Sequence, residues 1–415
     1  MYHWIYRHSS PISRRVGNVE NAPGRLSKGC DPLFVQFWTL GGRPAYSGRM
    51  KGKIRVGVVF GGRSAEHEVS LQSAKNVLEA LDREKYEPVL IGIDREGRWH
   101  LDEQTRALID SVRPLANLVA DSPQEVALLA RGEKSRLVDL SGNRDLGKLD
   151  VVFPVLHGPF GEDGSVQGLC RLANLPCVGA GILGSAVGMD KDVMKRLLRD
   201  AGIPTARFLV LARGAAMPGF TAVTASLGVP VFVKPANLGS SVGIRRAGDA
   251  EGYEKAVATA FQYDTKVLVE ECIKGREIEC SVLGNQEPIA SVPGEIITGG
   301  GHDFYDYDAK YLDENGASLR IPAALPGLTA ERVRALAVRA CTVLCCEGMA
   351  RVDMFLRDND EILVNEINTI PGFTRISMYP KLWEASGIPY RELVDRLIVL
   401  AIERHTVEHS LKTTP

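Results

Sequence analysis

The sequence predicts an α/β protein whose second half turns α+β, divided into three domains. Three observations carry that prediction. From residue 53 strands and helices alternate, as they do around a parallel sheet. From Phe208 onward strands with glycine turns take over. The length, 415 residues, allows two to four domains at roughly 100–200 residues each.

Taken in order, Ile54–Phe60 is a β-branched run closed by Gly61-Gly62. Glu66–Leu81 carries Leu71, Ala74, Leu78 and Leu81 at helical spacing. Pro88–Ile93 and Val151–Leu156 read as buried strands around a charged, loop-rich stretch over 94–148. Asp190–Ala201 is a helix with Asp190 as its cap, Gly202 at its end and Pro204 beyond. Strands follow at Phe208–Leu211, Val229–Lys234, Val267–Glu271 and Ile278–Leu283. Thr329–Cys346 reads as a helix capped by Thr329, and Ala350–Leu356 with Glu361–Ile367 as a hairpin across Arg357–Asp360. Tyr390–His405 is the closing helix. The units divide as 1–50, 51–178, 179–273 and 274–406, the first being a leader outside the three domains.

A hydrophobic fraction of 45% is ample for packed cores, and a net charge of −1 gives no sign of a nucleic-acid or membrane-surface partner. The apolar runs, such as Val151–Leu156, fall far short of the roughly 20 residues that span a bilayer. The charge is uneven, however. Residues 1–49 hold seven Lys/Arg and two acids, while the remainder carries 43 basic and 49 acidic groups, a net of −6. That basic leader reads best as translation upstream of a start at Met50, ahead of a disordered tail or a targeting segment. Eight cysteines form no CxxC pair and no Cys/His ligand pattern, which points to a reduced, cytoplasmic setting. Cys341 and Cys345, four apart, read as buried thiols on one helix face.

Two phosphate-loop patterns are decoys. Gly179–Gly184 matches GxGxxG but lacks a firm strand before it, and the convincing helix is expected only at Asp190. Gly142–Leu149 approaches a Walker A loop, yet Leu149 replaces the metal-binding hydroxyl and the strand follows the loop.

The stronger signal lies further on. Lys234 ends an apolar strand and opens a small-residue loop to Gly243, an arrangement suited to phosphate. Glu270 and Glu271 end a second apolar strand and Glu277 follows it, acids that can accept hydrogen bonds from a nucleotide or stand equally as solvated strand-end charges. In the hairpin, Asp353, Glu366 and Asn368 share one face because strand side chains alternate. Two carboxylates and an amide oxygen make a hard set for Mg²⁺ bridging phosphates, and Arg351 beside them can neutralise a transferring phosphoryl group. Gly372, in the sharp turn after Thr369-Ile370-Pro371, offers a free N–H.

Seven motifs together resemble the D-alanine–D-alanine ligase family of the ATP-grasp superfamily. They are Gly61–Ser70, His157-Gly158 with Gly161–Gly164, Met189–Lys191, Lys234–Gly243, Phe304–Tyr311, Arg351–Asp353 and Glu366–Ser377. The resemblance runs from about Lys53 to Glu403. It implies an ATP-grasp fold with an N-terminal parallel α/β domain, a small central α+β domain and a larger C-terminal one. It also implies ATP-dependent joining of two D-alanines through a D-alanyl phosphate, for peptidoglycan synthesis.

By that resemblance, Glu66 anchors the first substrate's ammonium, with Ser240 and Tyr311 ordering the site. Arg351 and the Gly372 N–H form an oxyanion hole. His157, Ser377 and the Met378 backbone receive substrate carboxylates. Lys191, Lys234, Ser241, Glu270, Glu271, Ile273, Glu277 and Lys310 line the ATP site, with the Glu271 side chain left unassigned. Asp353, Glu366 and Asn368 hold two Mg²⁺ (or Mn²⁺), a monovalent cation is a possible activator, and a homodimer is expected. His67 is expected on the helix surface, and Tyr305 and Tyr307 in loop packing. The Lys310-Tyr311 pair and the apolar Met378 favour D-alanine over D-lactate and D-serine as second substrate. The rival readings are a different ATP-grasp carboxylate–amine ligase and an inactive nucleotide-binding regulator.

Overall fold

The computed structural model describes residues 52–101, 124–130, 135–140, 142, 144–298 and 317–412. Among the described residues four sheets form, all within Lys53–Pro415. In the first, Ile54–Gly61 is central and pairs in parallel with Tyr86–Ile93 on one side and Val151–Pro154 on the other. Helix His67–Ala80 makes the crossover between the first two strands, and Trp99–Leu101 adds an antiparallel edge. Both faces of the central strand are covered. Val56, Val58 and Phe60 join a core with Leu71, Leu78 and Leu397, while Val59 packs on the other side with Ile91, Val166 and Cys170. Strand order reverses at this strand, so the chain leaves its carboxyl end into a crevice where ligands bind in open α/β sheets. Gly61-Gly62 and Leu156-His157 both lie there.

The second sheet is antiparallel: Arg245–Ala247, Val231–Pro235, Lys266–Glu271, Phe208–Ala212. Its valines at 231, 233, 267 and 269 pack with Tyr253 and Val257 of helix Ala250–Ala260, which leaves Lys234 and Glu270 on the opposite face. The third sheet orders Ala317–Arg320, Gly294–Thr298, Arg276–Gly284, Gly348–Leu356 and Ile362–Asn368, with Ile289–Ala290 on its side. Ile278, Cys280, Val352, Met354, Val364 and Ile367 pack one face of it against helix Gly327–Val343. A small sheet of Val126–Leu129, Arg136–Asp139 and Arg144–Asp145 occupies the loop-rich stretch. No helix among the described residues is long and apolar enough to cross a membrane.

Several local expectations need correction. A helix, Ile182–Met189, opens inside the GxGxxG pattern instead of after it. Gly184 serves packing, for a Cβ there would stand 2.3 Å from the Cys345 carbonyl oxygen. The helix expected to start at Thr329 begins at Gly327 behind Pro326, whose extended backbone marks the boundary. Thr329 instead donates to Asp360 Oδ1 at 3.0 Å. Cys345 is exposed, because the helix ends at Val343 and the chain turns away from the face that buries Cys341. The closing helix runs on to Ser410.

Candidate active site

The loop Gly62–Glu66 is held by the first turn of the helix that follows it, by its own Ser64 and by Gly158. Ser70 Oγ accepts from Gly61 N–H at 2.8 Å and donates to the Val155 carbonyl. His67 is buried, contrary to the surface position expected, and its Nδ1 lies 2.9 Å from the Gly62 carbonyl. Ser64 Oγ accepts from Glu66 N–H. These bonds fix Glu66 at the helix N-terminus, where its carboxylate accepts a hydrogen bond from Ser240. Ser240 and Ser241 both have positive φ, which turns the loop after Lys234 back toward Glu66. Gly158 closes the third side. Its φ is +77°, and a Cβ there would come within 2.8 Å of Ser64 Oγ and 2.9 Å of Glu66 Oε2.

His157 connects this loop to the turn after the hairpin. Its Nδ1 donates to the Ile370 carbonyl at 3.0 Å, so Nε2 accepts from Ser73 Oγ at 3.0 Å, and Ser73 in turn accepts from Phe373 N–H. Burial lowers its pKa, which matches the neutral tautomer these bonds require. Ser377 caps the helix Met378–Ala385, and its Oγ accepts from Thr374 N–H at 3.0 Å, close against Gly372. Met378 is buried with Ile296 and Leu382.

On the second sheet, Lys234 Nζ lies 2.9 Å from Glu270 Oε2 and 3.4 Å from Asn365 Oδ1. Burial opposes ionisation of Glu270, but the lysines on either side outweigh it and hold its carboxyl below the usual range. Lys191 Nζ donates to the Leu238 carbonyl at 2.6 Å and lies 3.6 Å from Glu366. The Glu271 carboxylate is bound by the Arg207 guanidinium and backbone N–H at 2.8–2.9 Å, so its side chain is committed away from the pocket loop. Ile273 and Glu277 are half-buried beside it.

The third sheet supplies two ordered rows. Glu279, Asp353 and Glu366 are direct cross-strand partners, as are Ser281, Arg351 and Asn368. Arg351 binds Asp353 through two hydrogen bonds of 2.7 Å and lies 2.9 Å from Glu279. Asn368 Nδ2 donates to Asp353 Oδ2 at 2.9 Å. A bulge between Asp353 and Met354 leaves Asn365 out of register, and Asn365 is the residue that meets Lys234. No group of three or more His, Cys, Asp or Glu among the described residues forms a metal cage by itself. The donors Asp353, Glu366 and Asn368 are all oxygen and fit a hard divalent ion whose remaining ligands come from phosphates and water.

Two family models match this chain: the N-terminal part of D-Ala–D-Ala ligase over residues 55–180 and its C-terminal part over 197–399. The chain belongs to the D-alanine–D-alanine ligase family. The ligase of Oceanobacillus iheyensis is 51% identical over 363 residues, covering 87% of this chain and 99% of the relative. Among solved structures, the D-alanine–D-alanine ligase of Coxiella burnetii aligns at 40% identity with a TM-score of 0.75, over 86% of this chain and 98% of its own. The VanG D-Ala:D-Ser ligase of Enterococcus faecalis aligns at 37% identity with a TM-score of 0.74, over 84% and 100%. The fold is therefore the ATP-grasp fold of these ligases, α+β with a parallel N-terminal sheet.

Of the sequence-predicted residues, direct contacts join Glu66 with Ser240, Lys191 with Glu366, Lys234 with Glu270, and Arg351 and Asn368 with Asp353, while Lys310, Tyr311, Tyr305 and Tyr307 lie outside the described residues. Two supporting residues, Glu279 and Lys195, escaped the motif reading, and a third, Glu162, sits in the Gly161–Gly164 motif without an assigned role. Glu279 stands in the acid row. Lys195 contacts Glu270 from inside the fold. Glu162 accepts the Gly158 and Ile370 N–H groups at 2.9 Å each and so ties the loop after Leu156 to the turn after the hairpin. Burial, reinforced by Glu66, pushes its carboxyl up to about 8. The spacing of Lys191 and Lys195, one helical turn apart on a single face, is the signal that could have exposed Lys195.

Proposed function

We propose that this chain joins two D-alanines at the expense of ATP, giving D-alanyl-D-alanine, ADP and phosphate. The observation that carries the reading is the Glu66–Ser240 hydrogen bond. It joins a carboxylate at the crevice of the parallel sheet to the glycine–serine loop that follows Lys234. A site for an amino acid's ammonium thus abuts a site for phosphate.

A carboxylate acylates poorly, so the first D-alanine's carboxylate oxygen attacks the γ-phosphorus and ADP departs. The second D-alanine's amine then attacks the acyl carbon, and phosphate leaves as the C–O bond breaks. Glu66 holds the first ammonium, while Ser240 orders that carboxylate, together with Tyr311. His157, neutral and with both ring nitrogens engaged, is a shape element that holds its loop beside the substrate carboxylates. Lys191, Lys234 and Lys310 neutralise phosphate charge, and Ser241, Glu270, Ile273 and Glu277 line the nucleotide pocket with the backbone at Glu271. Arg351 and the Gly372 N–H stabilise the oxyanion of the tetrahedral step. Ser377 and the Met378 backbone take the second carboxylate. Asp353, Glu366 and Asn368 would hold two Mg²⁺ or Mn²⁺ ions, which supply charge neutralisation between the ATP phosphates. The three-domain division at 178 and 273, a cytoplasmic setting and a homodimer accompany the reading.

A second reading, ligation of D-alanine to D-serine, draws on the VanG neighbour. Against it, Met378 packs within contact of Gly294 and presents an apolar surround. A pocket built for methyl discriminates weakly against a hydroxyl. Phosphate release measured with D-alanine, L-alanine, D-serine and D-lactate tests both. Release with D-alanine is expected; release requiring D-serine as partner supports the second reading, and none with any amino acid overturns both.

A further inference from the structure

The nucleotide half of the site contains a buried charge with no part in the steps above. Lys195 lies one turn beyond Lys191 on helix Lys191–Asp200, and its side chain is wholly inaccessible. Its Nζ is 3.3 Å from Glu270 Oε1, while the other oxygen of that carboxylate is 2.9 Å from Lys234 Nζ. Among the described residues neither Lys195 Nζ nor Glu270 Oε1 has a hydrogen-bond partner, so what joins them is charge. Burial lowers the Lys195 pKa to about 8, which leaves the ammonium charged at neutral pH.

The charge count gives this arrangement a consequence. Lys234 with Glu270 alone is a neutral pair, because the carboxylate cancels the ammonium that opens the phosphate loop. Adding Lys195 on the inner side makes the trio positive by one. An ion withdrawn from water needs compensation, and Glu270 supplies it to Lys195 more cheaply than solvent could reach it. We propose that Lys195 is a positioning residue of the ATP site: it neutralises Glu270 from the buried side, so that the Lys234 ammonium keeps its charge for the phosphates. Being inaccessible, Lys195 never touches the nucleotide, and it acts only through Glu270. The inference rests on the ATP reading above.

Affinities of the full-length chain for MgATP and for adenosine, measured by calorimetry in wild type and Lys195→Met, test it. Removing one charge from this poorly solvated pocket is expected to weaken MgATP about tenfold. Adenosine, which has no phosphate, should stay within about twofold of wild type, since it does not feel that charge. Unchanged MgATP binding overturns the proposal, and so does an equal loss for both ligands, the mark of a merely structural role. Lys195→Gln, which can hydrogen-bond to Glu270 without carrying charge, covers a failure of the Met variant to fold and predicts the same selective loss. If neither variant folds, Lys195 belongs to stability and the proposal falls. A wild-type chain that does not bind MgATP would instead overturn the ATP reading itself.

Discussion

Glu66 and Ser240, 174 positions apart in the chain, meet in a direct hydrogen bond. One comes from the loop after the first strand of the parallel sheet, and the other from the loop after Lys234. On the proposed function, Glu66→Ala removes the anionic partner of the first ammonium. The D-alanine KM is expected to rise about ten- to hundredfold, with a smaller fall in kcat. Ser240→Ala, which removes one hydrogen bond to that carboxylate, should cost only about 1 kcal/mol in kcat/KM. Steady-state kinetics at saturating ATP reads both, and wild-type KM values in Glu66→Ala would end that role assignment.

Glu366 stands directly across from Asp353, so Glu366→Gln alters one of two carboxylates in the oxygen set. Turnover is expected to fall by at least about a hundredfold, together with loss of Mn²⁺ binding in the presence of ATP. Electron paramagnetic resonance of Mn²⁺ separates this from a folding defect. A variant that binds Mn²⁺ normally would remove Glu366 from the metal set.

Gly158→Ala forces a side chain into a positive-φ position and against Ser64 and Glu66. The expected cost is about 1–3 kcal/mol of stability. Because the clash falls on Glu66, kcat/KM for D-alanine should fall as well. Urea unfolding and kinetics on the same preparation check both, and an Ala variant with unaltered kinetics would mean that the loop shifts without disturbing Glu66.

Glu162 makes stability depend on pH. Its folded-state pKa is about 8, above the usual 4.5, because burial and then Glu66 disfavour the charged form. The folded state therefore binds the extra proton, and this contribution is fully present below about pH 4.5 and lost as pH rises through about 8. Wild type should lose more stability than Glu162→Gln between about pH 6 and about pH 9. Parallel slopes of unfolding free energy against pH for the two proteins would contradict that origin.

The sequence discloses the polar groups of the proposed site and conceals those packed behind them. Lys234, Arg351, Asp353 and Glu366 stand out because polar residues at the ends or on one face of apolar strands break the pattern around them. Lys195 and Glu279 look like ordinary charges of an amphipathic helix and an alternating strand, and only packing reveals that they are buried. His67 was misread for the same reason: helical periodicity gives a face, but not the carbonyl of Gly62 that awaits its ring. The helix at Ile182 is hidden because its glycines serve distant packing, Gly184 on Cys345 and Gly188 on Thr369 and Ile367, contacts that no local propensity encodes.

The central claim is the coupling of ATP cleavage to dipeptide formation. Its most direct measurement is the stoichiometry of ADP, phosphate and dipeptide after incubation of the full-length chain with MgATP and D-alanine. One D-alanyl-D-alanine formed for each ADP and each phosphate is the predicted result. ATP cleavage without dipeptide, or no cleavage at all, would contradict it.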